Sequence, residues 1–266
     1  MTPGAALVFG LGDVASAVGH VLHRAGWRVA LAADAPPRAH RRRMAFADAW
    51  WDGVAVLEGV FCHKTEPAAL AAGNWPAGAI PFLRLAPGAA LGLLPWTLAV
   101  DGRVAKRSAP LTLRGRAPLT LGCGPGHVAG TTCDLAIETQ RGDRLGAIIA
   151  AGPTAPLSGE PHPIAGIGRA RIVYAPAAGR LSVLCDIGAP VTAGQAVARL
   201  GPLGIAAPLA GTLRGIMRDG SDVAPGDKLC EVDPRPPESA QVAGLGARPL
   251  VVAQGVLRAA ATCLSG

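Results

Sequence analysis

A glycine turn near the start of the chain is the first feature whose residue types and spacing suit chemistry. Gly10 and Gly12 follow a short apolar run, and glycine lets a backbone turn approach a phosphate closely. The helix predicted to follow would offer free N–H groups to that anion, although Asp13 would place a like charge beside it. Asp34, about 20 residues further on, suits a ribose hydroxyl. The pattern predicts a nucleotide-type site, and the alternative is an α/β turn that binds nothing.

Two basic segments offer further phosphate ligands. Arg41 and Arg43 belong to an arginine run that begins at residue 38, directly after the second predicted strand, where a phosphate beyond the ribose would lie. Lys106 and Arg107 end a second basic segment, which follows a strand predicted after residue 95. The alternative for the arginines of the first segment is a solvated helix start.

The segment 122–130 holds four glycines and one proline in nine residues, which excludes both helix and regular strand. Its backbone N–H groups are able to cradle an anion, so Gly122, Gly124 and Gly126 are predicted to line a binding cleft. We expect this glycine loop to face the turn at Gly10.

The catalytic candidates lie within that loop or shortly after it. Either Cys133 or Cys123, the latter within the loop, is able to carry sulfur, and the alternative is an inert buried thiol. Glu138 and Arg141 are either a pair in a site or an ordinary ion pair at the end of a strand. None of the histidines forms a recognisable catalytic pair in the sequence.

These residues need elements to position them, and the first 155 residues predict a Rossmann-like α/β domain. An apolar run at 5–9 leads into the glycine turn, a helical spacing of apolar residues from Val14 to Ala25, and a second apolar run at 27–31. Strand, glycine turn, helix and strand in this order open a dinucleotide-binding unit.

The segment 156–235 contains an internal duplication. Ala175-Pro176-x-x-Gly179 recurs as Ala207-Pro208-x-x-Gly211, an offset of 207 − 175 = 32. Two interlocked copies predict a lipoyl/biotinyl-like barrel-sandwich hybrid. The hairpin at 200–206 has no lysine, so we expect neither lipoate nor biotin and interpret the module as a rigid docking domain. A strand at Pro249–Ala253 and a short helix, within 236–266, are predicted to pack back on the body.

Composition limits the classes of partner. The net charge of +7 comes almost entirely from arginine, which favours anionic ligands or an acidic partner, unless it is only a solvated surface. One Tyr and four Phe leave little aromatic surface for nucleic-acid binding. The six cysteines have no zinc-site spacing, so no metal is expected. The apolar run 85–100 contains two prolines and is short for a membrane span, which favours a cytoplasmic protein.

Taken together, the motifs resemble the YqeB-type accessory proteins of the selenium-dependent molybdenum hydroxylase system. The segments that carry the resemblance are Gly10-x-Gly12-Asp13-x-Ala15, Trp51-Asp52-Gly53, Asp101-Gly102-Arg103-x-Ala105-Lys106-Arg107, Gly122-x-Gly124-Pro125-Gly126-x-x-Ala129-Gly130 and Ile137-Glu138-Thr139-x-Arg141-Gly142. Asp134 and Asp143 stand where relatives often carry His, and nothing in the chain bears on selenium.

The resemblance implies a maturation factor for a molybdenum hydroxylase of the xanthine dehydrogenase type. It would bind a molybdopterin dinucleotide or a related nucleotide and dock the apo-enzyme. An NAD(P)-dependent oxidoreductase and a non-catalytic nucleotide-binding scaffold remain the alternatives, and a homo-oligomer is compatible with each.

Overall fold

The computed structural model describes residues 4–105 and 108–264, and its fold is α/β with one large mixed sheet and smaller antiparallel sheets. The chain divides into two compact units. The first contains the residues up to Pro37, Ala45–Ser158 and the residues from Leu245 onward; the second contains Arg38–Met44 and Gly159–Gly244.

The first unit is built on a nine-stranded sheet and a two-stranded one. Its strands are β1 (Ala5–Phe9), β2 (Arg28–Ala33), β3 (Val54–Leu57), β4 (Val60–Lys64), β5 (Ala79–Arg84), β6 (Leu98–Asp101), β7 (Leu119–Cys123), β8 (Val128–Ala129), β9 (Leu135–Ile137), β10 (Ile148–Ile149) and β11 (Gly152–Pro153). The large sheet has the order β10-β9-β7-β6-β1-β2-β5-β4-β3, and β8 pairs with β11. All neighbours in the large sheet are parallel except the two edge pairs, β3–β4 and β9–β10.

Helices cover this sheet. They are α1 (Asp13–Arg24), α2 (Ala49–Asp52), α3 (Pro67–Ala71), α4 (Pro87–Leu91) and α5 (Ala247–Leu264). The strand, glycine turn, helix and strand predicted at the start of the chain are confirmed as β1, the Gly10–Gly12 turn, α1 and β2. The helix forms as predicted because its apolar residues between its start and Leu22 are buried on one face. No helix within 4–105 and 108–264 has both the length and the apolar character to cross a membrane.

The strand predicted at Pro249–Ala253 is wrong, because this segment belongs to helix α5. Its β-branched residues favour a strand locally, but Val252, Val256 and Ala259 recur at helical spacing and are buried in the same core as α1. At Gly255 an added Cβ would lie 2.5 Å from the carbonyl oxygen of Gly146, so the helix approaches the backbone closely there.

The second unit consists of two four-stranded antiparallel sheets. Its strands are β12 (Ile172–Tyr174), β13 (Gly179–Val183), β14 (Pro190–Val191), β15 (Ala196–Leu200), β16 (Leu203–Ala206), β17 (Gly211–Ile216), β18 (Asp222–Val223) and β19 (Lys228–Asp233). The sheet orders are β12-β19-β17-β14 and β16-β15-β13-β18. Among the described residues these strands form two separate sheets, and no closed barrel is formed.

The duplication relates these two sheets to each other. Adding 32 to the first residues of β13, β14 and β15 gives 211, 222 and 228, which begin β17, β18 and β19. β12 corresponds to β16, since adding 32 to 172–174 gives 204–206, the last three residues of β16. Replacing every strand of the first sheet by its repeat partner gives the order of the second sheet. Each sheet therefore contains two strands from each copy.

Candidate functional site

The carboxyl ends of four neighbouring parallel strands open on one edge of the large sheet. These strands are β9, β7, β6 and β1, and β2 continues the set on the far side of β1. From β1 the chain goes first to β2 on one side, and later returns to β6 on the other. In open α/β sheets, ligands bind outside the carboxyl ends at such a reversal of strand order.

The Gly10–Gly12 turn follows β1 at this edge. Gly10 has a φ of 108°, and an added Cβ would lie 3.1 Å from Cγ of Arg103. Gly12 is the N-cap residue of α1 and has no side-chain cap, and nothing lies within 4 Å of its added Cβ. The carboxylate of Asp13 accepts a hydrogen bond from the N–H of Val14 at 3.0 Å. The start of α1 is therefore open above Gly12 and partly occupied by Asp13.

Gly102 holds the β6 turn against the start of α1. Its N–H donates to the carbonyl of Phe9 at 3.1 Å, and an added Cβ would lie 2.8 Å from Cα of Ala15. A small residue at Ala15 and a glycine at 102 are both needed for this close approach. The turns after β1 and β6 are thus packed directly on each other.

Several residues of this edge contact Asp101, which is the last residue of β6 and is only 1% exposed. Its carboxylate accepts from Nε and Nη2 of Arg103, each at 2.8 Å, and from the N–H of Leu111 at 2.9 Å. It also lies 3.4 Å from Nε2 of His127. Burial alone would raise the pKa of Asp101, but the hydrogen bonds from Arg103 and His127 outweigh burial and hold it well below its usual range.

His127 lies within the glycine loop and is buried, with its ring against the backbone of Gly122. An added Cβ at Gly122 would lie 2.2 Å from Nδ1 of His127, so only glycine leaves room for the ring. Nδ1 is 3.2 Å from Oγ1 of Thr132 and 3.9 Å from Sγ of Cys133. Burial lowers the pKa of His127, but the contacts with Asp101 and Cys133 outweigh it and raise the pKa to about 9.

Cys133, His127 and Asp101 therefore form a chain from thiol to imidazole to carboxylate. This is the order of nucleophile, base and orienting group in cysteine-dependent catalysis. The Cys133 side chain is 0% exposed, so a reactant reaches it only if the loop above it moves. Burial raises the pKa of Cys123, and the charges of Asp101 and Cys133 act in the same direction, which makes it an inert thiol at neutral pH.

The rest of the glycine loop is held from two sides. Gly124 and Gly126 have φ values of 96° and 89°, the left-handed region that favours glycine. The N–H of Gly124 donates to the carbonyl of Ile137, and its own carbonyl accepts from Oγ1 of Thr154 at 2.7 Å. The prediction that 122–130 contains no regular strand is wrong at both ends, because Gly122 and Cys123 end β7 and Val128–Ala129 form β8. The turn between these strands lies on the same edge as the Gly10 turn.

Glu138, a catalytic candidate, is buried and accepts three backbone hydrogen bonds. The donors are the N–H groups of Thr139 and Gln140, each at 2.7 Å, and that of Ala155 at 2.8 Å. These contacts support a role in holding the loop, and a catalytic role for Glu138 stays a prediction. Arg141 is exposed in the turn that follows β9.

The remaining candidates lie in different places. Asp34 is exposed directly after β2, and its charge, together with the stronger effect of Asp101, raises the pKa of Arg103. Arg41 and Arg43 belong to the second unit, where Nη2 of Arg43 donates to the carboxylate of Asp186 at 2.8 Å. Their phosphate role stays a prediction. Lys106 and Arg107 lie outside the described residues.

Sequence reasoning missed Asp101 and His127 as functional residues. The available signal was the position of Asp101 at the end of a strand and of His127 inside the glycine loop. Within the part of the chain that the structure describes, no three His, Cys, Asp or Glu side chains are grouped so as to hold a metal ion.

In comparisons with known proteins, the chain is similar in sequence to a curated protein. No family model matches. Product-bound and apo structures of the ectoine utilization protein EutE (DoeB) from Ruegeria pomeroyi are 15% and 12% identical, with TM-scores of 0.28 and 0.26. These matches cover 87% and 86% of this chain and 85% and 86% of those chains, and scores this low support no argument.

The curated relative is the uncharacterized protein YqeB of Escherichia coli (strain K12), which is 34% identical over 253 residues. The match covers 95% of this chain and 46% of that protein, so the chain spans about half the length of its relative. The similarity extends over nearly the whole of this chain and relates it to YqeB.

Proposed function

We propose that the first unit binds a dinucleotide-type ligand in a Rossmann-type crevice, with its pyrophosphate on the Gly10–Gly12 turn. The observation that carries the proposal is the meeting of the turns after β1, β6 and β7 at the point where the strand order reverses. Both the glycine turn and the glycine loop belong to this edge.

The charges around the turn fit an anionic ligand that also carries hydroxyl groups. Arg103 lies against Gly10, its side chain is 31% exposed, and it is the cation closest to the turn in the contacts described above. The N–H groups at the start of α1 attract an anion, and Asp34 lies after β2 as an acceptor for a ribose hydroxyl. The ligand would thus have its phosphate near Arg103 and its ribose toward Asp34.

For the biological role we propose an accessory factor that matures a molybdenum hydroxylase of the xanthine dehydrogenase type. The ligand would be a molybdopterin dinucleotide and the partner the apo-enzyme. Supporting this, the motifs that carry the family resemblance surround the same edge, at Asp101–Arg103, Gly122–Gly130 and Ile137–Gly142. The second unit, in the form of a lipoyl-like module without a carrier lysine, would be the docking surface.

The Cys133–His127 contact favours sulfur transfer as a step within that role. The Cys133 thiol would release its proton to solvent, the protonated His127 would stabilise the thiolate, and the thiolate would attack the outer sulfur of a persulfide donor, R–S–SH. The donor's S–S bond breaks, and R–S⁻ leaves and takes up a proton from solvent. The products, Cys133–S–SH and R–SH, balance the reactants in atoms and electrons.

The binding proposal is tested by a Gly12→Asp variant. A carboxylate at this open position would repel a pyrophosphate, while the backbone, at φ −74° and ψ 178°, accepts any residue. A ligand at 100 times its Kd should stabilise the wild-type protein by about 2.7 kcal/mol, and the variant should lose this gain. Thermal unfolding with NAD(P) and with a pterin dinucleotide measures it.

The matched control is Gly88→Asp, which adds the same charge at another open glycine of the first unit. It should keep the ligand-induced shift. If no nucleotide stabilises the wild-type protein, or if Gly12→Asp responds like the control, the turn has a structural role only. A shift with NAD(P) alone would favour the oxidoreductase alternative.

The sulfur step is tested by Cys133→Ala. The variant should bind the dinucleotide as the wild type does, but it should fail to mature the partner hydroxylase in cells. After incubation with a persulfide donor, intact mass spectrometry should find one extra sulfur atom on the wild-type protein and on Cys123→Ala, but not on Cys133→Ala. Equal labelling of all three proteins would remove Cys133 from the proposal.

A further inference from the structure

Strand β3 is the last strand of the large sheet, at the end opposite to β10. Among the residues that the structure describes, β3 pairs with β4 alone, so its other side is a free edge. Edge strands of natural proteins are usually protected against pairing with another chain by charged side chains or by proline, and residues 54–57 contain neither. β3 is therefore an edge that lacks this protection.

The backbone groups that point to this free edge belong to Val54 and Val56. In an antiparallel pair, the residues along a strand alternate between hydrogen-bonded and non-hydrogen-bonded positions. The N–H of Lys64 donates to the carbonyl of Gly53 at 2.8 Å, which makes Gly53 a hydrogen-bonded position of the β3–β4 ladder. Val54 and Val56 then occupy the non-hydrogen-bonded positions. Their N–H and C=O groups point away from β4 and toward the free edge.

The side chains on one face of this edge form an exposed apolar patch. Of the eight large hydrophobic side chains that are exposed within 4–105 and 108–264, four lie close together in the sequence: Trp51, Val54, Val56 and Phe61. Val56 lies opposite Phe61 on β4 and shares its face of the sheet, and the two are 52% and 46% exposed. On the opposite face, the two strands contribute to the core. Exposed apolar side chains that are grouped mark an interaction surface.

We propose that β3 pairs with β3 of a second copy of this chain, so that the two large sheets join into one across a two-fold axis. An axis perpendicular to the sheet makes the two strands antiparallel and keeps the same face of each sheet on the same side. The register that uses every outward backbone group pairs Val54 of one copy with Val56 of the other, and the reverse. Ala55 of one copy then lies opposite Ala55 of the other, at the axis.

The apolar side chains select a second copy as the occupant of this edge. In the proposed register, Val54 and Val56 of one copy lie beside Val56 and Val54 of the other on the same face. Cross-strand neighbours of this kind have Cβ atoms about 4.5–5.5 Å apart, so each valine covers apolar area on its neighbour. The two halves of the interface are thus complementary because they are identical.

The charges beyond the two ends of β3 also fit a second copy. Asp52 is exposed directly before the strand, and Arg24 lies at the other end, where Nη2 donates to the carbonyl of Glu58 at 3.0 Å. The carboxylate of Glu58 accepts from the N–H of Leu245 at 2.7 Å. Because the paired strands run antiparallel, Asp52 of each copy comes near Arg24 of the other. Asp52 also interacts within its own chain, and a carboxylate accepts several hydrogen bonds.

Sedimentation equilibrium of the full chain over a range of protein concentrations tests the proposal. The wild type should pass from monomer to dimer as its concentration rises. Val56→Lys should dimerise about tenfold or more weakly, because each dimer would contain the new charge twice. The matched control is Ile148→Lys, since Ile148 is 39% exposed on β10, the other edge strand of the same sheet. This control should dimerise as the wild type does.

Paired substitutions test the register. Val54→Lys and Val56→Glu should each weaken the dimer, and the double variant Val54→Lys/Val56→Glu should recover it. The recovery is expected because the new cation of one copy then lies opposite the new anion of the other. Both side chains are exposed, so the single variants should keep the Tm of the wild-type monomer. If one of them fails to fold, the other provides the measurement.

Disulfide formation locates the axis. In a Cys263→Ala background, which lacks the exposed native thiol, Ala55→Cys should form a linked dimer on oxidation. Opposite residues at a non-hydrogen-bonded position have Cα atoms about 4.5 Å apart, within the range of a disulfide. Val54→Cys in the same background should not cross-link, because its two copies would lie diagonally, more than about 7 Å apart. The Cys263→Ala parent should not cross-link either.

The proposal is independent of the nucleotide turn, so Gly12→Asp should dimerise as the wild type does. It is overturned if the wild type stays monomeric at every concentration, or if Val56→Lys dimerises with unchanged affinity. Cross-linking of Val54→Cys without cross-linking of Ala55→Cys would also overturn it.

Discussion

Asp101→Asn is expected to lower the free energy of unfolding by about 3–5 kcal/mol, the range for breaking a buried ion pair from one side. The substitution keeps the shape of the side chain but removes its charge. Arg103 and His127 would then share a buried region without a counter-charge, and the new amide NH₂ would face donors instead of accepting from them.

Urea denaturation at pH 7 measures this loss. Asp186→Asn is the control, because Asp186 is 69% exposed and its pair with Arg43 lies at the surface. That variant should change stability by less than about 1 kcal/mol. A similarly small change for Asp101→Asn would mean that the charge of Asp101 does not hold the edge together.

A second large effect is expected in the pH dependence of stability, through His127. Its pKa is raised from 6.5 to about 9, so the folded state binds this proton more tightly than the unfolded state does. The resulting stability is fully present below pH 6.5 and is lost as pH rises through about 9. At about 1.4 kcal/mol per pKa unit, the contribution is about 3 kcal/mol.

The measurement is urea denaturation between pH 6.5 and 9.5 for the wild type and for His127→Gln. Buried thiols also lower stability over this range, since burial raises the pKa of Cys62, Cys123 and Cys230. The difference between the two proteins therefore isolates His127, and it should shrink by about 3 kcal/mol as pH rises. His40 does not contribute, because its pKa of about 4 lies below the range. A constant difference between the two curves would contradict a raised pKa.

The features found from sequence are those that local chemistry dictates. Gly10, Gly124, Gly126 and Gly130 mark turns because their positive φ values favour glycine, and that requirement is visible without a fold. The duplication was visible because its two copies share an offset of 32 residues, and the strands keep that offset.

The features missed are those that arise from packing over long distances in sequence. Asp101 and His127 are 26 residues apart, and only the parallel pairing of β6 with β7 brings them together. Only residues 249–253 of helix α5 were predicted as a strand, and the core contacts of the helix with α1 override that local preference. The arginine run at 38–44 follows β2 in the chain, yet Gly215 of β17 lies against the carbonyl of His40, a contact with no local signal.

The exchange of strands between the two repeats has a consequence for how the second unit assembles. Neither copy holds a complete sheet, so residues 172–202 alone would expose the unpaired edges that the other copy normally covers. Pairings such as Ile172 with Glu231 join residues 59 positions apart (231 − 172), and their loops must close before the contacts form. We therefore expect this unit to fold slowly and in a single cooperative step, and one repeat expressed by itself to associate with a second copy, as an ancestral half-length chain would have done.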